Sequence, residues 1–145
     1  MSPLATHLVR PAVAFAALAT LAAVTGCDSK IAQCNRLIDV INKEQAPLKK
    51  ETGNEPKALQ ELASTLDDVS AKVKAVQVED AKLVEFRDQY ATMASDLAVA
   101  SRETAKAIES KDSAVAREAA KKMSSFSPRE SELVNSINNY CSGSP

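Results

Sequence analysis

Few side chains in this chain could do chemistry, and their types narrow the possibilities sharply. The 145 residues hold three cysteines, Cys27, Cys34 and Cys141, and one histidine, His7. Serine–histidine and cysteine–histidine catalysis both need an imidazole base, and His7 lies in an N-terminal segment that reads as a leader. Zinc sites of the Cys/His type fail on the same ground, as do bundle iron sites that draw on Glu-x-x-His. Glycine occurs only at Gly26, Gly53 and Gly143, so there is no phosphate-cradling loop. No acidic loop has calcium-site spacing. The pairs Asp67-Asp68 and Glu79-Asp80 have the groups for acid and base work, but their setting reads as solvated or capping. No catalytic, metal or cofactor residue is assigned, and the expectation is a protein that is not an enzyme. What remains is the chemistry of three thiols.

Residues 1–26 have the three parts of an export signal. His7 and Arg10 accompany a positive start, and Ala12 to Val24 is an apolar run broken only by Thr20. As a helix that run would reach about 20 Å, against the roughly 30 Å of a bilayer core, so it is too short for a permanent span. Directly behind it stands Val24-Thr25-Gly26-Cys27, with an aliphatic residue three before the cysteine and a small one just before it. The junction resembles the lipobox of bacterial lipoprotein precursors. The resemblance implies that the Cys27 thiol takes a diacylglycerol, that the leader 1–26 is cut away, and that 27–145 is the mature domain. The competing reading is an ordinary cleaved signal that releases the chain. Two or more acyl chains hold stably, at ~0.8 kcal/mol per buried methylene. The expected address is the cell envelope, anchored to membrane by lipid and facing the periplasm. Asp28 after the cysteine does not by itself choose between the inner and outer membrane.

Removing the leader leaves 119 residues, enough for one small domain. They carry all 19 acidic and all but one of the 18 basic residues, a slightly acidic balance that argues against nucleic acid as a partner. With Cys27 lipidated, Cys34 and Cys141 are left, one near each end of the domain. Export puts them in an oxidising compartment, where such a pair is expected to form a disulfide; two buried free thiols are the alternative.

The elements that must bring those thiols together read as helices throughout. Between Lys57 and Ser127 there is no glycine or proline, and apolar residues recur at steps of three and four. The seams are Ile31, Cys34, Ile38, Ile41 and Leu48; Leu59, Leu62, Leu66, Val69, Val73 and Val76; Leu83, Phe86, Tyr90, Met93, Leu97 and Ala100; and Ala116, Ala119, Met123, Phe126, Leu133, Ile137 and Tyr140. Gln45 and Glu130 interrupt the first and last. Pro47 bends or ends the first helix, and Gly53-Asn54 with Pro56 makes a turn. A weaker turn is read at Val76–Asp80, with Asp80 as a cap. Ser110–Ser113 separates the third helix from the fourth, and a kink or a short break is expected at Ser127-Pro128.

Four helices with short turns predict an all-α, up-down-up-down four-helix bundle, closed by one disulfide. That topology puts the start of the first helix and the end of the fourth at one end, where Cys34 and Cys141 can meet. The rival is a continuous second-plus-third helix, because the seven-residue phase runs unbroken from Val76 to Leu83. The mature part also resembles small uncharacterised helical-bundle lipoproteins of myxobacterial type. That resemblance rests on Cys34-Asn35 and on the ending Leu133-Val134-x-x-Ile137-Asn138-x-Tyr140-Cys141, and it supplies no catalytic residues.

The leading functional expectation is a non-catalytic interaction or structural module displaying a bundle surface to an envelope protein partner. The alternatives are a small-ligand-binding or sensory bundle, built around Ala94, Ala98, Ala105, Ala107, Ala116, Ala119 and Ala120, and a periplasmic chaperone. Tyr90, Tyr140, Phe86 and Phe126 read as core, and same-helix pairs such as Asp68–Lys72 and Glu118–Lys122 as solvated faces. The pairs Lys49-Lys50 and Lys121-Lys122 are too few for a basic patch.

Overall fold

The computed structural model describes residues 28–48 and 53–143. The segment 1–26 expected to be a leader, the expected lipidation residue Cys27 and the pair Lys49-Lys50 lie outside the described residues. The helices are α1 (Lys30–Leu48), α2 (Pro56–Lys74), α3 (Ala81–Glu109), α4 (Ser113–Ser124) and α5 (Phe126–Ser142). The last two form a single arm broken at Ser125, so the architecture is the predicted up-down-up-down four-helix bundle.

Several boundaries have a local cause. Pro56 opens α2 at a position where the missing N–H costs nothing, and Glu55 before it makes no side-chain cap. Gly53 is required by close approach, since a Cβ there would stand 2.6 Å from that of Ala58. The α2–α3 turn is real, which excludes the continuous-helix rival. Asp80 caps α3, its Oδ1 accepting from the N–H groups of Lys82 at 3.0 Å and Leu83 at 3.1 Å. Asp112 caps α4 in the same way, through Ala114 and Val115. The α3 end closes as a Schellman motif: Asp112 N–H reaches Ala107 O at 2.9 Å and Lys111 N–H reaches Ile108 O at 3.1 Å. Lys111 sits there in the left-handed region, at φ 57°.

The break in the fourth arm falls at Ser125, slightly before the expected Ser127-Pro128. Pro128 is the third residue of α5. In a continuous helix its ring would collide with the carbonyl four residues back, that of Ser124, where α4 ends. A proline thus places its damage one turn upstream of itself.

The larger core lies at the disulfide end. Cys34, Leu37 and Ile41 of α1 meet Val69 and Val73 of α2, Leu83, Phe86 and Tyr90 of α3, and Ile137 of α5. A small second cluster, Ala63, Leu66 and Ala98, sits further along the α2–α3 pair. Small side chains let α3 approach its neighbours there: Ala94, Ala98, Ala105, Ala107 and Ala119 are all buried.

One seam assignment is corrected. Ile31 is 68% exposed, while Leu37 is fully buried. The inward face of α1 starts with Gln33, which is 5% exposed. At about 100° per residue Ile31 lies roughly 200° away from it, on the outer side.

Candidate functional site: the disulfide end and a buried polar cluster

The two thiols left after Cys27 do meet. Cys34 and Cys141 form a disulfide with a Cα–Cα separation of 5.7 Å, within the usual bridging range. It ties the first turns of α1 to the last turn of α5.

Around it, polar groups bind the three chain segments that converge at this end. Gln33 Oε1 accepts from Glu79 N–H at 2.6 Å and Asp80 N–H at 3.0 Å, while its Nε2 donates to Asp28 O at 2.8 Å. A buried amide therefore satisfies two turn donors that the missing helix would have used. Arg36 donates to Gln77 O through Nε at 3.2 Å and Nη2 at 3.0 Å, and pairs with the Asp28 carboxylate. The Arg36 hydrogen bond holds the Asp28 carboxyl below the ordinary range.

Tyr140 closes the opposite side of this end. Its hydroxyl donates to the Asp80 carboxylate, 3.0 Å from each oxygen. Phe86 meets its ring edge-on at 5.9 Å between centroids, and Lys30 Nζ stands 3.6 Å from the ring centre. The backbone N–H of Leu83, with the Tyr140 hydroxyl, lowers the Asp80 pKa. Burial, with the Asp80 charge beside it, raises that of Tyr140. A cap, an aromatic contact and a helix end thereby share one carboxylate.

A second polar cluster lies inside the bundle, and sequence reasoning missed it. Gln45 of α1, Tyr90 of α3 and Glu130 of α5 converge. Tyr90 Oη donates to Glu130 Oε1 at 2.9 Å, and Gln45 Nε2 donates to the same oxygen at 2.9 Å, with Tyr90 Oη at 3.3 Å. Burial pushes the Tyr90 phenol far above its ordinary pKa, with the Glu130 charge adding to the effect. The signal was present: Gln45 and Glu130 are the polar interruptions of two otherwise apolar seams. Nothing in one dimension indicated that the interruptions face each other. All three groups are engaged with one another, and their bonds tie α1, α3 and α5 together.

The other sequence-predicted groups scatter. Asp67 pairs with Arg102 of α3, and Asp80 is a cap. Two same-helix ion pairs are corrected. Lys72 pairs with Glu44 of α1 at 2.8 Å rather than with Asp68, and Lys122 with Glu103 of α3 at 3.2 Å rather than with Glu118. Packed neighbouring helices bring carboxylates within reach, and Glu44 is 8% exposed, so its charge needs a partner. Phe86 and Tyr90 are core residues as expected, with Tyr140 and Phe126 packed partly buried against them.

Of the surface depressions among the described residues, two flank α3 along much of its length. A cleft of about 430 Å³ at the far end lies between α3 and α4 beside the start of α2, lined by Leu59, Thr104, Ile108, Ala116, Ala120 and Met123 among others. A more polar groove of about 730 Å³ runs between α3 and α5, past Lys82, Asp88, Met93, Arg129 and Glu132. Among the described residues no group of three or more His, Cys, Asp or Glu side chains could hold a metal ion. No described helix is long and apolar enough to cross a membrane. No protein-family model, curated protein or solved structure matches this chain.

Proposed function

We propose that this protein is a lipid-anchored component of a bacterial cell envelope whose bundle acts as a non-catalytic interaction or structural module. The observation that carries the reading is the lipobox-like Val24-Thr25-Gly26-Cys27, placed one residue ahead of the bundle's own hydrogen-bond network at Asp28. A disulfide between Cys34 and Cys141 suits an oxidising compartment. The polar side chains inside the bundle serve one another, as in a scaffold.

The test is the intact, unreduced mass of the protein from a detergent-extracted envelope fraction, followed by gentle crosslinking in cells. A chain starting at Cys27, heavier by its acyl groups and lighter by two hydrogens, with an envelope protein crosslinked to it, is the expected result. A soluble, unacylated chain would sink the anchor. Crosslinking to no envelope protein would count against the interaction role.

A second reading, a small-ligand-binding bundle, is favoured by the apolar cleft between α3 and α4. Filling it through Ala120→Leu should then abolish binding of a small apolar fluorescent probe. Equal binding by the variant removes this reading.

A further inference from the structure

We infer that the disulfide end of the bundle lies directly against the lipid bilayer, with α3 pointing away from it. The inference rests on the lipid anchor proposed above and adds an orientation to it.

The argument is one of tether length. A flexible linker of twenty residues would let a domain wander roughly 25 Å from its anchor, in any orientation. Here almost no linker exists. Asp28, covalently bonded to Cys27, is already fastened to the fold: its carbonyl accepts from Gln33 Nε2 at 2.8 Å and its carboxylate pairs with Arg36. Both side chains are in turn bound to the α2–α3 turn, Gln33 through Glu79 and Asp80, Arg36 through Gln77. The Cα of an acylated Cys27 is thus about 3.8 Å from a residue held against that turn. The turn, the start of α1 and the end of α5 must then sit at the headgroups.

A second observation agrees. Ile31, the most exposed large hydrophobic side chain among the described residues at 68%, lies four residues from Cys27. It is flanked by Lys30 and by the α1 N-terminus, and it has no place in the core. At the edge of a bilayer its burial would be favourable. The charges at this end are of both signs and largely paired, Asp28 with Arg36, Lys74 with Asp88 and Lys82 with Glu85. The contact therefore calls for no anionic lipid, and a phosphatidylcholine surface satisfies it.

The consequence is a stand-off. The 29 residues of α3 span about 43 Å at ~1.5 Å per residue. The α3–α4 turn and the apolar cleft beside it are carried roughly that far from the bilayer, where they can meet a partner.

The chain has no tryptophan, which permits a direct test. The full precursor, carrying Ile31→Trp, Val99→Trp or Val115→Trp at an exposed position, would be produced in a lipoprotein-processing bacterium and checked by mass. Each acylated product is then reconstituted into phosphatidylcholine vesicles containing brominated lipid. The expected result is quenching several-fold stronger at position 31 than at 115, with 99 close to 115. Acylated protein showing equal quenching at all three positions, or strongest at 99 as in a bundle lying flat, overturns the orientation and leaves the anchor standing. A mass without acyl groups overturns the anchor, and the orientation with it.

Discussion

The Tyr90 hydroxyl donates to Glu130 Oε1 across 2.9 Å, joining the first half of α3 to the opening turns of α5. Gln45 adds a third helix to the same oxygen. Hydrogen bonds have direction, as apolar contacts do not, so this cluster fixes the rotation and register of three helices that could otherwise slide.

Removing the Tyr90 hydroxyl should therefore cost more than its volume suggests. Tyr90→Phe is expected to lower stability by about 1–3 kcal/mol, the range for a hydrogen bond to a charged group whose partner is left in place. Urea unfolding of Tyr90→Phe, Glu130→Ala and the double variant should show losses that fall short of additive. Strict additivity would mean that the two groups are energetically independent.

The pH dependence has two limbs. Asp28, Asp80 and Asp88 have folded pKa values below the ordinary 3.8, each held there chiefly by hydrogen bonds. Their contribution is present above that value and is lost as pH falls through the folded one, so stability should decline in acid below about pH 4. Tyr90 and Tyr140 are shifted up from 10.0. Their contribution is complete below that value and is lost as pH rises above it. Phenolate absorbance should accordingly appear late and together with the loss of helical circular dichroism. A transition at the ordinary tyrosine pKa in a still-folded protein would contradict this.

Reduction of Cys34–Cys141 should destabilise strongly. The bond spans 107 residues of sequence, and bridges over loops of this length contribute roughly 2–5 kcal/mol. Paired urea curves with and without reductant measure the difference. An unchanged midpoint would show that the packed helices alone hold the two ends together.

Gln33 links two backbone donors of the α2–α3 turn to the segment before α1. Gln33→Ala leaves Glu79 and Asp80 N–H without their acceptor and is expected to cost about 2–4 kcal/mol. Gln33→Glu keeps an acceptor while losing the bond to Asp28 O, so thermal melting should rank it between the alanine variant and the parent.

Lys111 occupies the left-handed position of the α3 Schellman motif, at φ 57°. A β-carbon is unfavourable there, so Lys111→Gly should raise stability by about 0.5–1 kcal/mol. A decrease would mean that the lysine side chain itself contributes to the turn.

Much of the fold was legible along the chain. The seams of α2 and α3 are buried nearly as read, because apolar periodicity reports directly which face a helix hides. Asp80 was legible as a cap, since a side chain that serves N–H groups two and three residues ahead acts locally. The break near Pro128 was visible, although its position at Ser125 was not, because the ring acts on a carbonyl four residues earlier. The exposure of Ile31 and the burial of Leu37 were misjudged, since one helix's pattern does not say where its neighbours stop covering it.

The helical class of the described residues, most of their turns and the expected pairing of Cys34 with Cys141 were readable along the chain. These properties depend on residue types and short spacings. It took the packed bundle to bring Gln45 and Glu130 together on Tyr90, to give Lys72 and Lys122 partners on other helices, and to fasten Asp28 to a distant turn through Gln33 and Arg36. Most of those contacts join residues 28 to 85 positions apart, while Lys122 with Glu103 stands at 19 and the bonds of Gln33 and Arg36 to Asp28 at 5 and 8. Which polar group finds which across such distances is fixed by how the packed helices are rotated and offset, a property of the assembled bundle and of no single segment.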